Sequence, residues 1–177
     1  MTRELALVVM IAAALLLLAA GVYGWWRRTK RDRGLAAPVG ELPAGAVTRA
    51  EFHGLYVATT VHEEPLERLA IRGLAFRSRV DITIADAGVA LDLTGQPRIV
   101  ITRDRIESVD QATVAIDRVV EKDGLVRLVW RTTIADGTEQ AVDTYLRAQD
   151  ASAREVAAAI TAILPEPTAT TPTGSDA

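Results

Sequence analysis

The chain has 177 residues, enough for one globular domain with accessory segments, and its 49% hydrophobic content and mean hydropathy of +0.16 exceed what an ordinary soluble domain carries. It contains no cysteine, which excludes disulfides, thiolate metal sites and cysteine nucleophiles. The net charge of −3 is unevenly split: residues 1–33 hold six bases and two acids, the remainder 14 bases and 21 acids, so a basic collar precedes an acidic domain and no nucleic-acid partner is expected.

A four-residue N-terminal segment leads into Leu5–Trp26, which carries no charge over 22 residues. A helix of that length, rising about 1.5 Å per residue, covers the roughly 30 Å hydrocarbon core of a bilayer. The small residues Ala19-Ala20-Gly21 raise the alternative of a cleaved signal peptide. The long apolar run, the Arg3/Glu4 start and the basic cluster that follows favour a retained span over residues 5–26. Arg27, Arg28, Lys30, Arg31 and Arg33 place five bases directly after the span, and such clusters stay on the cytoplasmic side. The expected topology is a single-pass protein of the bacterial plasma membrane, N-terminus outside and C-terminal domain cytoplasmic. Tyr23, Trp25 and Trp26 fall at the same end, where amphipathic rings favour the headgroup layer. Together with the five bases they form the expected membrane-interface anchor. Ala20 and Gly24 give a small-xxx-small spacing through which two spans could approach as a homodimer.

The basic collar and linker occupy residues 27–45, and GLAAPVGELPAG at 34–45 has the prolines and glycines of a short spacer. The domain is expected over 46–164. Glu51 to Val61 supplies a first strand, and Leu69 to Phe76 fits either a short strand or a turn. Val80, Ile82 and Ile84 alternate with Arg79, Asp81 and Thr83, as a half-buried strand requires. A turn at Ala85-Asp86-Ala87-Gly88 leads to Val89, Leu91 and Leu93, and Ile99 and Ile101 continue the series after a break at 94–97. Val114, Ile116 and Val119-Val120 mark a strand that ends at Lys122-Asp123-Gly124, with a return over Leu125 to Ile134. A turn at Ala135-Asp136-Gly137-Thr138 precedes the alternation of Val142, Thr144 and Leu146. The period then changes: Val156, Ile160, Ile163 and Leu164 mark one face of a helix, opened by a Ser152/Glu155 capping box and stopped by Pro165. Residues 165–177, PEPTATTPTGSDA, lack large apolar side chains and are expected to be a disordered tail.

About seven antiparallel strands followed by one amphipathic helix resemble the pleckstrin-homology (PH) superfold, a mainly β bent barrel capped by its C-terminal helix. The span ending in WWRR, the VDITIADAGVALDL hairpin, QPRIVITRDRIESV and LVWRTTIADGTEQAVDTYL together resemble a family of small actinobacterial single-pass membrane proteins with a PH-like domain. Only Lys30 and Lys122 are lysine and asparagine is missing, the composition of a GC-rich bacterial genome. Members of that family are commonly encoded beside pyrimidine and carbamoyl-phosphate genes and carry labels such as transporter or export protein. The resemblance implies no catalytic activity. Lipid-binding PH domains use a basic cluster in the first hairpin loop, whereas the matching stretch here, Val61-His62-Glu63-Glu64-Pro65, carries two acids. An acidic domain repels an anionic headgroup, which favours a cytoplasmic protein or peptide as the partner.

Residues able to do chemistry are few. His53, His62, Ser78, Ser108, Ser152 and Ser175 form no nucleophile, phosphate-binding or dinucleotide motif, and two histidines make no metal site without further ligands, so neither an enzyme nor a cofactor is expected. Asp86 and Asp136 precede glycines in hairpin turns, which accounts for both. Arg98, Arg103 and Arg105 lie in the densest charged stretch of the domain and are the candidate partner surface. Trp130 shares its strand face with Leu128, Thr132 and Ile134 and is expected in the core. The leading expectation is a membrane-anchored, non-enzymatic interaction module. The alternatives are an accessory subunit of a transport or export system, since one span cannot enclose a pore, and a lipid-headgroup binding module.

Overall fold

The computed structural model describes residues 3–32, 34–35, 37–69, 71, 73–115, 118–119, 124–134 and 137–165; within these, the side chains of residues 3, 6, 25, 27–32, 114–115 and 118–119 are not described. The expected tail beyond Pro165, the Lys122-Asp123 half of one turn and Asp136 of another lie outside the described residues. So do Arg33 and the side chains of Trp25, Arg27, Arg28, Lys30 and Arg31.

The apolar run folds as one helix, α1 (Arg3–Asp32), extending past the uncharged stretch at both ends. Its Leu7–Gly24 window has a mean hydropathy of 2.5 and none of it is buried against the rest of the chain. One helix is therefore long and apolar enough to cross a membrane, and its side chains are left for another apolar medium to cover.

The domain is built on a long strand, β1 (Thr48–Val61), that serves two halves of one sheet. Its first part pairs with β3 (Ser78–Ala85), which is followed by β4 (Gly88–Leu93) and β5 (Ile99–Thr102). Its second part pairs with β10 (Glu139–Ala148), followed by β9 (Leu125–Thr133) and β6 (Ile106–Ala112). The order β5-β4-β3-β1-β10-β9-β6 is antiparallel throughout, with the short β2 (Glu64–Arg68) folded back on the end of β1. A single 3-10 turn, Arg103–Arg105, carries the chain from β5 to β6. The expected mainly β barrel of about seven strands is present, closed by α2 (Ala153–Thr161).

Two-residue alternation produces these strands where one face meets the core. Val80, Ile82 and Ile84 are buried while Arg79 and Asp81 are exposed. Gly88 needs φ +147, and a Cβ there would meet the Ile101 carbonyl at 2.3 Å, so only glycine lets β4 approach β5 this closely. Trp130 is fully buried, as its alternation required. The capping box forms as expected: Ser152 Oγ accepts from the Glu155 N–H at 3.2 Å and Glu155 Oε2 accepts from the Ser152 N–H at 2.8 Å. Val156, Ile160 and Ile163 then enter the core.

The expectation of one strand over Val114 to Val120 needs correction. The strand that pairs with β9 is β6, and the following residues form a separate two-stranded hairpin, β7 (Val114–Ala115) with β8 (Arg118–Val119). A bulge between Ile106 and Ser108 explains the error, because an inserted residue breaks the alternation by which a strand is recognised.

The segment expected as a spacer also packs. Leu35 is only 7% exposed and joins the core, Val39 bridges Ile99, the Val100 N–H donates to the Pro38 carbonyl at 2.8 Å, and the Gly40 N–H donates to the Arg98 carbonyl at 3.1 Å. Prolines and glycines removed the pattern of a strand without preventing this pairing at a sheet edge.

Candidate interaction surface

A sheet with two ends of strand order has two edges, and the fold treats them differently. The β5 edge is covered over Arg98–Val100 by the chain's own residues 38–40. Arg98 reinforces that cover. Its Nε and Nη2 donate to the Asp92 carboxylate, both at 2.8 Å, and its Nη1 donates to Glu41 at 2.9 Å, so the guanidinium clamps the linker to the sheet. Of the three expected partner residues, Arg98 is thus an internal brace.

The β6 edge has no partner strand among the described residues. An unpaired edge presents a row of backbone donors and acceptors to whatever extended chain approaches. Glu107 and Ser108 of β6 are exposed and Val109 is half-buried. Beside them the end of α2 forms one wall of a groove of about 410 Å³, lined by Ile106, Val109, Thr161, Leu164 and Pro165 as well as the two exposed residues. Leu164 is shared with a second hollow of about 470 Å³, where Arg49, Asp86 and Arg103 face the apolar end of the helix. Arg103 is exposed and Arg105 half-buried, both on the 3-10 turn that leads into β6. The structure therefore brings Arg103 and Arg105 to one end of this edge and leaves Arg98 elsewhere.

Polar contacts hold the edge in shape. Arg131 of β9 donates from Nη1 to Glu139 at 3.0 Å and from Nη2 to the Asp104 carbonyl at 2.9 Å, with Nε 3.4 Å from Glu107. Asp104 is held below the usual carboxylate range, chiefly by a hydrogen bond from Thr102 and further by Arg105 and Arg131. Arg127 makes a bidentate pair with Asp110 on β6, at 2.9 and 2.6 Å.

The barrel end at which the linker enters is a different surface. A hollow of about 360 Å³ is lined there by Leu35, Val61, Glu64, Glu67, Leu69, Ile134 and Gln140. Among the described residues its lining contains two carboxylates and no cation. Its neighbour Glu63 is exposed, with a positive φ of 64.

The match to known sequence families covers the packed body almost end to end: residues 35–162 match the family described as bacterial PH domain-like. The chain belongs to the bacterial PH domain-like family. No curated protein and no solved structure matches the chain. In this bacterial PH-like domain the match begins at Leu35, the residue where packing against the core also begins. Membership supports a binding or interaction module in general.

Two buried arrangements escaped the sequence reading because each joins residues far apart in the chain. His62 donates from Nδ1 to Asp143 Oδ1 at 2.7 Å across 81 residues, and that Asp143 carboxylate is fully buried beneath the Glu63 N–H and Arg127. Burial, helped by the charge of Asp143, pushes the Tyr145 phenol up. On the inner face, the fully buried Trp130, Thr144, Thr59 and Tyr56 form a hydrogen-bonded chain that ends on the Leu74 carbonyl. Neither set has a nucleophile beside a base, and among the described residues no group of three His, Cys, Asp or Glu is placed to hold a metal ion. On α1, Tyr23 and Trp26 stack at a tilt with centroids 6.3 Å apart, and nothing lies within 4 Å of where a Cβ on Gly24 would stand.

Proposed function

We propose that this PH-like protein is a membrane-anchored binding module, in which α1 fixes the domain at the cytoplasmic face and the β6 edge takes an extended peptide segment of a protein partner. The observation that carries the reading is the asymmetry of the two edges: one is covered at Arg98–Val100 by the linker and clamped by Arg98, the other has no partner strand among the described residues and is flanked by a groove along α2. Extended peptides commonly bind by adding a strand to such an edge, with backbone hydrogen bonds giving affinity and pockets for alternate side chains giving specificity. Arg103 and Arg105 at one end favour a segment with an acidic residue there. The acidic lining of the other barrel end supports a protein partner over a phosphorylated headgroup.

The test is photo-crosslinking in intact membranes, with the crosslinking residue placed at Ser108 or Glu107 on β6 and, as a control, at Glu51, an exposed position of β1. The reading predicts adducts from 107 and 108 that map to one short segment of one protein and are absent from 51. Adducts of equal yield and identity at all three positions would refute it.

A further inference from the structure

The four segments that surround the linker's entry come together at one end of the barrel. Leu35, Val61, Glu64, Leu69 and Ile134 line a common hollow, and a Cβ on Gly73 would stand 3.7 Å from Ile99 and 4.0 Å from Gln96. The β2–β3 connection, the turn at 94–97 and the β9–β10 turn therefore share that end. Leu35 sits three residues after the end of α1 at Asp32. α1 runs six residues past the last residue of the uncharged stretch, Trp26, so at about 1.5 Å per helical residue and at most about 3.6 Å for each of the three that follow, Leu35 stands within about 20 Å of the end of the span.

Two large apolar side chains project there. Leu66 is 70% exposed and Phe76 83% exposed, the most exposed large hydrophobic residues among the described part of 34–165. Their exposure is built in. Leu66 belongs to a bulge, because Val61 pairs with Glu64 and the neighbouring Thr60 with Arg68, which leaves residues 65–67 outside the ladder. Phe76 follows a connection held by the fully buried Ile71 and Leu74, with the Leu74 carbonyl accepting from the Tyr56 hydroxyl at 2.6 Å. Leu66 and Phe76 thus stay on the surface while Leu69, Ile71 and Leu74 between them are buried.

We propose that Leu66 and Phe76 enter the headgroup layer beside the anchor, giving the domain a second, apolar contact with the lipid surface. The inference rests on α1 as a membrane span. Continuity with that span favours lipid over a second protein, since Leu35, at the same end of the barrel as both residues, stays within about 20 Å of the end of the span. Glu63, Glu64 and Glu67 stand on the same end with Arg68 and the exposed Arg77, a mixed set that forms no cationic grip for headgroup phosphate, so the contact is one of side-chain insertion. The consequence is orientation: two contacts fix which way the β6 edge faces, where a lone tether would leave it free to turn.

The chain has no cysteine, so single labels can be placed in the full protein. Leu66→Cys and Phe76→Cys, with Leu15→Cys in α1 and Ala158→Cys on the exposed side of α2 as references, are labelled with a nitroxide in nanodiscs of mixed zwitterionic and anionic phospholipid. Collision with oxygen and with a water-soluble nickel chelate is then read at each site. The proposal predicts an oxygen-to-nickel ratio at 66 and 76 several-fold above that at 158 and below that at 15. Water-like ratios at 66 and 76 with a lipid-like ratio at 15 would overturn the insertion while sparing the anchor. A water-like ratio at 15 would overturn both. Low access to both reagents at 66 and 76 would mean cover by protein and would overturn the lipid contact.

Discussion

Replacing Tyr56 with phenylalanine tests the buried chain that ties the two halves of the barrel to the β2–β3 connection. The directions of its bonds follow from counting protons. Trp130 Nε1–H donates to Thr144 Oγ1 at 2.8 Å, and the Leu74 carbonyl, which can only accept, takes the single Tyr56 hydroxyl proton at 2.6 Å. Thr144 then donates to Thr59 at 2.9 Å and Thr59 to the Tyr56 oxygen at 3.0 Å, so every hydroxyl gives one proton and receives one. Burial pushes the Tyr56 phenol up, which keeps it a neutral donor. Tyr56→Phe strands the Leu74 carbonyl and one hydroxyl proton in the interior, at about 1–3 kcal/mol per buried group, so the expected loss is about 2–6 kcal/mol of domain stability. Thermal or urea unfolding of the full chain in detergent, followed by far-UV circular dichroism, measures it. Thr144→Val breaks the same chain, and the double variant should lose less than the sum of the two singles. A loss under about 0.5 kcal/mol in Tyr56→Phe, or strict additivity in the double variant, would refute the continuous chain.

Ser152→Ala removes one half of the capping box and should destabilise the domain by about 1 kcal/mol, measured by the same unfolding experiment. Glu155 is held below its ordinary 4.5, first by the Ser152 backbone N–H and then by its hydroxyl, so its contribution to stability is present above that value and is lost as pH falls through the lowered pKa. His53 is raised above 6.5, first by its hydrogen bond to Asp81, so the pair's contribution is full below 6.5 and is lost as pH rises through the raised value. Asp81→Asn should return the His53 titration toward 6.5 in an NMR pH series, and an unchanged midpoint would show that Asp81 is not the cause. For topology, Ala158→Cys should react with a membrane-impermeant maleimide only after the cells are opened; labelling of intact cells would reverse the proposed orientation.

Much of the barrel was legible because burial on one face imposes alternation that needs no knowledge of partners. Val80-Ile82-Ile84 shows its inward face directly, Val142-Thr144-Leu146 alternates in the letters although Asp143 and Tyr145 between them are buried as well, and the period change after Ser152 marks the helix. The open edge was not legible. A bulge hides the alternation of β6, and whether a strand has one neighbour or two is a property of topology. Arg98 and Arg103 stood in the same charged stretch, yet long-range pairing with Asp92 and Glu41 takes the first and leaves the second at the groove. Leu35, Val39 and Leu42 stand among alanine, glycine and two prolines, which rule out a helix and hide that the segment packs. The acidic character of the loop after β1 was visible in the letters, and with Leu35 seated beside it that end has an acidic and apolar lining.

Binding along β6 has a direct readout in backbone amide protection. Hydrogen–deuterium exchange of the full chain in lipid nanodiscs, with and without the peptide segment identified by crosslinking at Ser108, tests it most directly. Amides of 106–112 should gain protection on binding while those of 99–100, already covered by the linker, do not change. Protection gained instead in the 62–77 connection, with 106–112 unaltered, would contradict it.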